Sequence, residues 1–371
     1  MELKGRILRF RYSRDKDGKT ERKAAVYTKD EHNIAAGDVD RDAAYICSRL
    51  RVEGYETYIV GGAVRDLMLG NKPKDFDIAS AASPAQIKKV FRNSRAIGRR
   101  FRLVHVFFGN KIYELATFRS VKDGTDGNTF GSIEEDVLRR DFSLNALFYD
   151  TEQELVIDYV GGVEDIRKRI INPIIPLDAI FRDDPVRMIR ALKYAAMTGF
   201  EIPPALRNRI KADSRLLEAV PPSRLTEEVV KILNSSCPDR IVAALDSFGL
   251  YQYLQPNAYR LMEKKKGFKQ QYMASLEALA KNTDENKCAL RAVIEGYVEA
   301  NTDWTEAMPE LFRKTFFSAR RFMIPISPQR RELAAALREI FAEHGITVKK
   351  TRSLYDGRVF YEAGPRAGDG S

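Results

Sequence analysis

Two aspartates one residue apart, Asp75 and Asp77, stand in the stretch Lys74-Asp75-Phe76-Asp77-Ile78, soon after the turn Val60-Gly61-Gly62-Ala63-Val64-Arg65-Asp66. A strand over residues 75–79 would send side chains at i and i+2 to one face, so both carboxylates would converge with Phe76 and Ile78 packed behind them. Two convergent carboxylates suit a pair of divalent ions, which sit roughly 3.5 to 4 Å apart and stabilise the attacking and leaving oxygens of an in-line phosphoryl displacement. Mg²⁺ is the expected ion, with Mn²⁺ as a substitute. The glycines at 61 and 62 supply the complement. They let backbone amides approach a triphosphate, and a helix starting near Ala63 would offer its positive end. Alone, a D-x-D is most often a solvated turn and Gly-Gly a plain one. Their order and spacing point to phosphate chemistry.

Further groups could complete such a site. On a strand over residues 112–117, Glu114 shares a face with Ile112, Ala116 and Phe118. A carboxylate buried among apolar neighbours costs several kcal/mol unless something positive meets it, so a metal ion is one partner and Arg119 or Arg65 the structural alternative. Asp141 rivals Glu114 for the place of third acid. Asp184 and Arg187, three apart on an expected helix, would share a face. Arginine only donates and ionised aspartate only accepts, a pairing that matches the edges of adenine and cytosine; guanine and uracil would leave like groups opposed, at about 1 to 3 kcal/mol each. Arg139 and Arg140 are candidates for phosphate or ribose contacts and Asn145 for the ribose, unless they brace the fold beside Asp141. Arg65 and Asp66 divide in the same way between ligand and support. His105, flanked by Val104 and Val106, is expected to be satisfied rather than catalytic. Trp304, Phe312, Phe316 and Phe317 are expected in a core.

From about Tyr55 to Arg190 the motifs Gly61-Gly62-x-x-Arg65-Asp66, Leu69-Gly70, Asp75-x-Asp77, Arg139-Arg140-Asp141-Phe142-Ser143-Leu144-Asn145-Ala146, Asp158-Tyr159-Val160-Gly161-Gly162 and Asp183-Asp184-Pro185-Val186-Arg187 occur in order. In these the chain resembles the class II polymerase-beta-like nucleotidyltransferases, the group of bacterial poly(A) polymerases and tRNA CCA-adding enzymes. It departs at Ser143, where the family is expected to carry Thr, and keeps the hydroxyl. The resemblance associates Asp75, Asp77, Glu114 and Asp141 with the active site. The segment 97–108 resembles the stretch that distinguishes bacterial poly(A) polymerases, and Arg320-Arg321-Phe322-Met323-Ile324-Pro325 is similar to their C-terminal body.

The implied activity is template-independent addition of adenylate from ATP to RNA 3′ ends. The alternative is CCA addition to tRNA with CTP and ATP. A non-catalytic RNA-binding protein is disfavoured because Arg65, Asp75, Asp77, Asp141 and Arg187 are all present. A metal-dependent phosphohydrolase is disfavoured because the three histidines form no His-Asp doublet.

The elements that must position these groups follow from pattern. A 371-residue chain that is 44% hydrophobic can bury sizeable cores. No apolar run reaches the roughly 20 residues of a membrane span and no secretory leader opens the chain, so the cytoplasm is the expected compartment, with neither membrane nor DNA as a partner. Cys47, Cys237 and Cys288 lie far apart, without zinc or disulfide spacing. A net charge of +10 fits an RNA partner, with Lys264-Lys265-Lys266 and Arg320-Arg321 as candidate contacts.

The expected class is α+β: a polymerase-beta-like head of mixed sheet and helices, then an all-helical neck and body. The expected division is a flexible basic extension (1–37), a catalytic head (38–165), a neck that reads the base (166–235), an RNA-binding body (236–345) and a disordered tail (346–371). A helix is expected over 39–53 and a strand over 57–60. Ser83-Pro84-Ala85-Gln86 forms a capping box opening a helix that ends near Phe91. Strands are expected at 103–108 and 112–117 and a mobile loop over 122–128. Helices are expected at 185–198, 204–214, 224–234, 237–248, 285–300 and 329–342.

Overall fold

The computed structural model describes residues 9–14, 20–97, 103–120, 130–281, 289–306, 310–352 and 359–363. The loop at 122–128, residues 98–102 of the 97–108 segment, Cys288 and the Gly-rich end lie outside the described residues. The chain divides into two compact units, one of residues 1–184 with 200–206, the other of residues 185–199 with 207–371.

The first unit is built on a nine-stranded sheet. Its strands are β1 (Arg9–Arg14), β2 (Thr20–Tyr27), β3 (Thr57–Val60), β4 (Asp77–Ser80), β5 (Ser94–Ile97), β6 (Leu103–Phe108), β7 (Lys111–Thr117), β8 (Leu147–Asp150) and β9 (Leu155–Asp158), in the spatial order β1-β2-β9-β8-β3-β4-β7-β6-β5. Pairing is antiparallel except between β4 and β7, which run parallel with Ile78 beside Leu115. One face is covered by the helix Arg41–Val52, whose Ala43, Ile46, Cys47 and Leu50 are buried and which packs on β3 and β4. On the other face Tyr58, Val60, Ala79, Phe118, Ile133, Val137 and Phe148 form a second core. At about 25 cal/mol per Å² of apolar surface removed from water, these two layers are the main force holding the sheet flat against its helices.

The structure departs from expectation at both ends. Residues 9–14 and 20–27, read above as part of a flexible extension, form β1 and β2, and β2 adds to the sheet through Ala25–Asp158 and Val26–Ile157 pairing. At the other end Val348–Arg352 (β10) pairs with Val359–Ala363 (β11). The capping box is formed: the Ser83 hydroxyl accepts from the Gln86 amide and the Gln86 side chain accepts from the Ser83 amide, with Pro84 at the first helical position.

The second unit is mainly helical. Helices Val186–Thr198, Pro222–Leu233, Pro238–Ser247, Pro256–Lys264, Phe268–Lys281, Leu290–Asn301, Glu310–Phe322 and Arg330–Glu343 dominate it. Three of them open on proline, which lacks the donor that a first helical residue would leave unused. The helices Pro256–Lys264 and Phe268–Lys281 are not among those the sequence leads one to expect, whereas the helical spacing of Phe312, Phe316 and Phe317 is met by the helix Glu310–Phe322. Phe312 and Phe316 are buried, as expected, whereas Phe317 is 43% exposed. Trp304 stacks on His344 at 3.7 Å and meets Phe341 edge-on. No helix among the described residues is long and apolar enough to cross a membrane.

Candidate active site

Sheet register gathers the motifs at one edge of the first unit. β3 ends at Val60, which pairs with Asp77 at the start of antiparallel β4 and with Phe148 of β8. The next residue, Gly61, has φ +72°, a conformation an L side chain rarely adopts, and turns the chain into the helix Gly62–Met68. Its amide donates to the Leu147 carbonyl, so the diglycine turn, Asp77 and the end of the Arg139–Ala146 motif are neighbours.

Asp75 does not extend the strand. β4 begins at Asp77, because its ladder partner β3 has already turned away at Gly61, so Asp75 approaches through non-strand backbone. Both aspartates are exposed and Phe76 is half-buried.

Glu114 lies where period-two alternation puts it, in an environment that differs from the expected one. Since Ile78 sits beside Leu115 in a parallel pair, Asp77 and Glu114, each one residue earlier, take neighbouring positions on one sheet face. That face is open here: the Glu114 side chain is 53% exposed, and its partner is His105 Nε2 at 3.3 Å rather than Arg65 or Arg119. The desolvation argument for a metal at Glu114 therefore falls away, while its position beside Asp77 remains. His105 opposes both Glu114 and, on the other side, exposed Arg95, so Asp77, Glu114, His105 and Arg95 form a row across four strands.

The basic residues beside the turn are held by protein partners. Arg65 is buried. It donates through Nε and Nη2 to Asp66 Oδ1, at 2.9 and 2.8 Å, and through Nη1 to Asn145 Oδ1 at 2.6 Å. Arg140 donates from Nε and Nη2 to Asp136 Oδ2 and from Nη1 to the Asn145 carbonyl, and lies 5.0 Å from the centre of the Phe148 ring. Arg139 Nη1 donates to the Ser120 carbonyl. Asp141 is buried and accepts from the Phe142 amide. These contacts are those of a brace, the structural alternative weighed for Arg139 and Arg140.

Two contacts went unread in the sequence. Asp158, nearly fully buried, accepts from the amides of Val160, Gly161 and Gly162 at Oδ1 and of Val163 at Oδ2. Gly162 presses on the Ser143 carbonyl so closely that a Cβ would stand 2.3 Å from the oxygen. Ser143 in turn donates to Asp165 at 2.5 Å. The Asp158–Gly162 motif thus fixes the segment leading to Asn145.

Asp184 and Arg187 do not share a helix. A short helix ends at Asp183, Asp184 is extended at φ −152° and ψ 100°, and the next helix starts at Val186. Pro185 explains the break, since its ring disfavours helical backbone in the residue before it. Arg187 is buried, with 4% of its surface exposed.

Among the described residues no group of three or more His, Cys, Asp and Glu side chains is arranged to hold a metal. The all-oxygen pair Asp75 and Asp77 still fits Mg²⁺, which is usually bound by one or two carboxylates together with waters and substrate phosphates.

Comparison with known proteins bears on this arrangement. The profile described as "Poly A polymerase head domain" matches residues 57–172. A second, "Probable RNA and SrmB- binding site of polymerase A", matches 199–261. The crystal structure of the Bacillus stearothermophilus CCA-adding enzyme in complex with CTP is 30% identical, with a TM-score of 0.57 over 82% of each chain. The chain belongs to the family of bacterial poly(A) polymerases and tRNA CCA-adding enzymes. Within that family, Poly(A) polymerase I of Salmonella typhi is 41% identical over 251 residues, 63% of this chain and 54% of the relative. The CCA-adding enzyme of Geobacillus stearothermophilus is 37% identical over 220 residues, 58% of this chain and 54% of the relative. The chain spans about half the length of the curated relatives it matches.

Proposed function

We propose that the protein adds adenylate from ATP to RNA 3′ ends without a template. The observation that carries this reading is the Val60–Asp77 pairing, which sets an exposed carboxylate beside the diglycine turn with Asp75 just before it. Asp75 and Asp77 would hold the divalent ions, whose chemistry when bound is to stabilise the attacking and leaving oxygens of the in-line displacement. The Gly61 and Gly62 backbone gives the triphosphate a close approach that a side chain would block. Arg65 and Arg140, tied to Asp66, Asn145 and Asp136, keep that turn rigid. Glu114, beside Asp77, is favoured over buried Asp141 as the third acid, because a group on the open face can meet substrate. Asp184 and Arg187 are each candidates for reading the base, the one as an acceptor and the other as a donor of the kind adenine and cytosine present.

Adenylate as the preferred substrate is supported by the 40–41% identity to proteins named Poly(A) polymerase I over 251 and 275 residues. CCA addition stands as the second reading, because the similar structure from B. stearothermophilus is a CCA-adding enzyme crystallised with CTP. The two separate in one experiment, in which the purified protein with Mg²⁺ is offered an unrelated single-stranded RNA and a tRNA lacking its 3′ end, each with ATP, CTP or both. Long adenylate tracts on the unrelated RNA and poor use of CTP are expected. Efficient CTP incorporation on the tRNA, followed by one A and arrest, would establish CCA addition instead.

A further inference from the structure

The sheet of the first unit leaves one face open beside the carboxylates, and two large apolar side chains stand on it. Along β6 and β7 the covered face carries Val104, Val106, Tyr113 and Leu115, all buried. The open face carries His105 and Phe107 on β6 with Ile112 and Glu114 on β7, His105 paired to Glu114 and Phe107 to Ile112. Phe107 is 37% exposed and Ile112 55%. An antiparallel ladder with one solvated face usually shows polar side chains there. Apolar residues exposed singly need no explanation, but Phe107 and Ile112 are direct cross-strand partners, one pair along from Glu114.

The surrounding residues hold this pair in place. The Phe107 amide donates to the Asn93 carbonyl at 3.0 Å and Asn93 Nδ2 donates to the Phe107 carbonyl, which fixes the end of β6 against the segment before β5. The Phe107 ring meets the His105 ring edge-on, with centroids 6.4 Å apart, and His105 Nε2 in turn lies 3.3 Å from Glu114 Oε1. The apolar shelf is thus joined through one imidazole to the acid beside Asp77. Arg95, exposed and without an ion pair among the described residues, opposes His105 from β5.

Strand order says which reactant meets this shelf. In-line transfer puts the attacking and leaving oxygens on opposite sides of the phosphorus. With the triphosphate at the diglycine turn, the leaving group points toward β3, which flanks Asp77 on one side in the order β3-β4-β7-β6. The attacking 3′ oxygen then arrives from the other side, over β7 and β6. At ~4.8 Å between strands and ~3.3 Å per residue, the Cα atoms of Ile112 and Phe107 stand about 8 and 12 Å from that of Asp77, a span one nucleotide bridges. We infer that Phe107 and Ile112 seat the base of the acceptor's 3′-terminal nucleotide, with Arg95 on the phosphate side, and that this shelf favours a terminal purine. Every base has a face that stacks on an aromatic ring, and stacking strength sets what preference there is, which the larger face of a purine wins. Each adenylate added thus leaves an end at least as good as the one it covers. The inference rests on the transfer reading above and names the residues that position its second substrate.

Two readouts test it. In the first, the fluorescent base 2-aminopurine is placed at the 3′ end of an oligonucleotide of about a dozen nucleotides, within the range of known single-strand sites, with a 3′-deoxy terminus so that no transfer follows. The parent and Phe107→Tyr, which keeps the ring, should quench it; Phe107→Leu should not, while a probe near the 5′ end should behave alike in all three. In the second, steady-state extension, Phe107→Leu should raise KM for RNA roughly tenfold, within the range that base stacking on one ring contributes, and leave KM for ATP unchanged. The parent should extend an RNA ending in A with a lower KM than one ending in U, and Phe107→Leu should narrow that gap. Thermal melting checks that each variant folds. Equal quenching in the parent and Phe107→Leu, a loss shared by the 5′ probe, or a rise in KM for ATP in place of that for RNA would overturn the shelf, the last by giving it to the incoming nucleotide. Equal KM for the two ends in the parent would overturn the purine preference. Terminal quenching that depends on Phe107 in a protein that adds no nucleotide would leave the shelf standing and sink the transfer reading instead.

Discussion

In the mixed-sheet unit Arg65 and Arg140 are committed to protein partners, the first to Asp66 and Asn145 and the second to Asp136, whereas in the helical unit Arg260, Lys264 and Arg321 face a cavity without an acidic partner among the described residues. The same charge thus serves two ends. Where burial is deep, an arginine must be matched inside the protein and becomes part of the scaffold. Where solvent screens it, it can stay unmatched until a polyanion arrives. Sequence alone shows basic residues in both places, and burial separates their work.

The contrast is open to attack at several points. The largest expected effect belongs to the exposed acids: Asp77→Ala or Asp75→Ala should lower nucleotide addition by on the order of 10³-fold, about 4 kcal/mol of barrier, with the melting temperature unchanged because no core group is lost. Normal turnover in either variant would remove the metal-binding assignment.

Next come the buried cations. Arg65→Ala strands Asn145 Oδ1 and part of Asp66, and should cost roughly 2–3 kcal/mol in urea unfolding. Arg321→Ala should stay within about 0.5 kcal/mol of the parent, as surface changes usually do. Equal losses in the two would erase the distinction between the units' arginines.

A subtler effect tests whether the helical unit also contains a matched buried charge. There Glu228 is buried and receives Lys193 Nζ at 3.0 Å and Arg190 Nε at 3.1 Å. Burial alone would raise its pKa, but the cations Lys193, Arg190 and Lys231 outweigh burial and hold it down at about 2. A carboxyl whose folded pKa is depressed contributes stability that is complete above its unfolded value near 4.3 and is lost as pH falls toward the folded one. Urea unfolding followed from pH 7 to 2.5 should therefore show a decline below about pH 4.5 that is smaller in Glu228→Gln. That variant should itself be less stable at pH 7, because Lys193, whose pKa burial lowers despite Glu228, would be left charged beside a neutral amide. A parallel pH dependence in both proteins would show that Glu228 does not carry this share of the acid sensitivity.

What the sequence disclosed depended on how local the cause was. The Ser83–Gln86 capping box and the diglycine turn are set by a few adjacent residues and could be read directly. Alternation also put Glu114 on the right face of its strand, but which face is open depends on the distant helix Arg41–Val52, which covers the opposite side. The strands β1 and β2 are hidden because their charged residues mask the alternation, and of Lys23–Tyr27, the part of β2 whose side chains are described, Ala24 and Tyr27 are the deeply buried ones. The break at Asp184 was legible in principle, since Pro185 stands next to it. The partners of Arg65 and Arg140 could not be read, because Asn145 is 80 residues from Arg65 and meets it only through strand order.

The contact of Gly162 with the Ser143 carbonyl has a consequence for how this unit could change its chemistry. The diglycine turn proposed above to meet the triphosphate is braced from behind, by a glycine and a four-amide aspartate clamp that need touch no substrate. Residues on the open sheet face can then be exchanged to suit a new base or acceptor without disturbing the mould in which they sit, while a single methyl group added at position 162 would spoil the casting for every substrate alike.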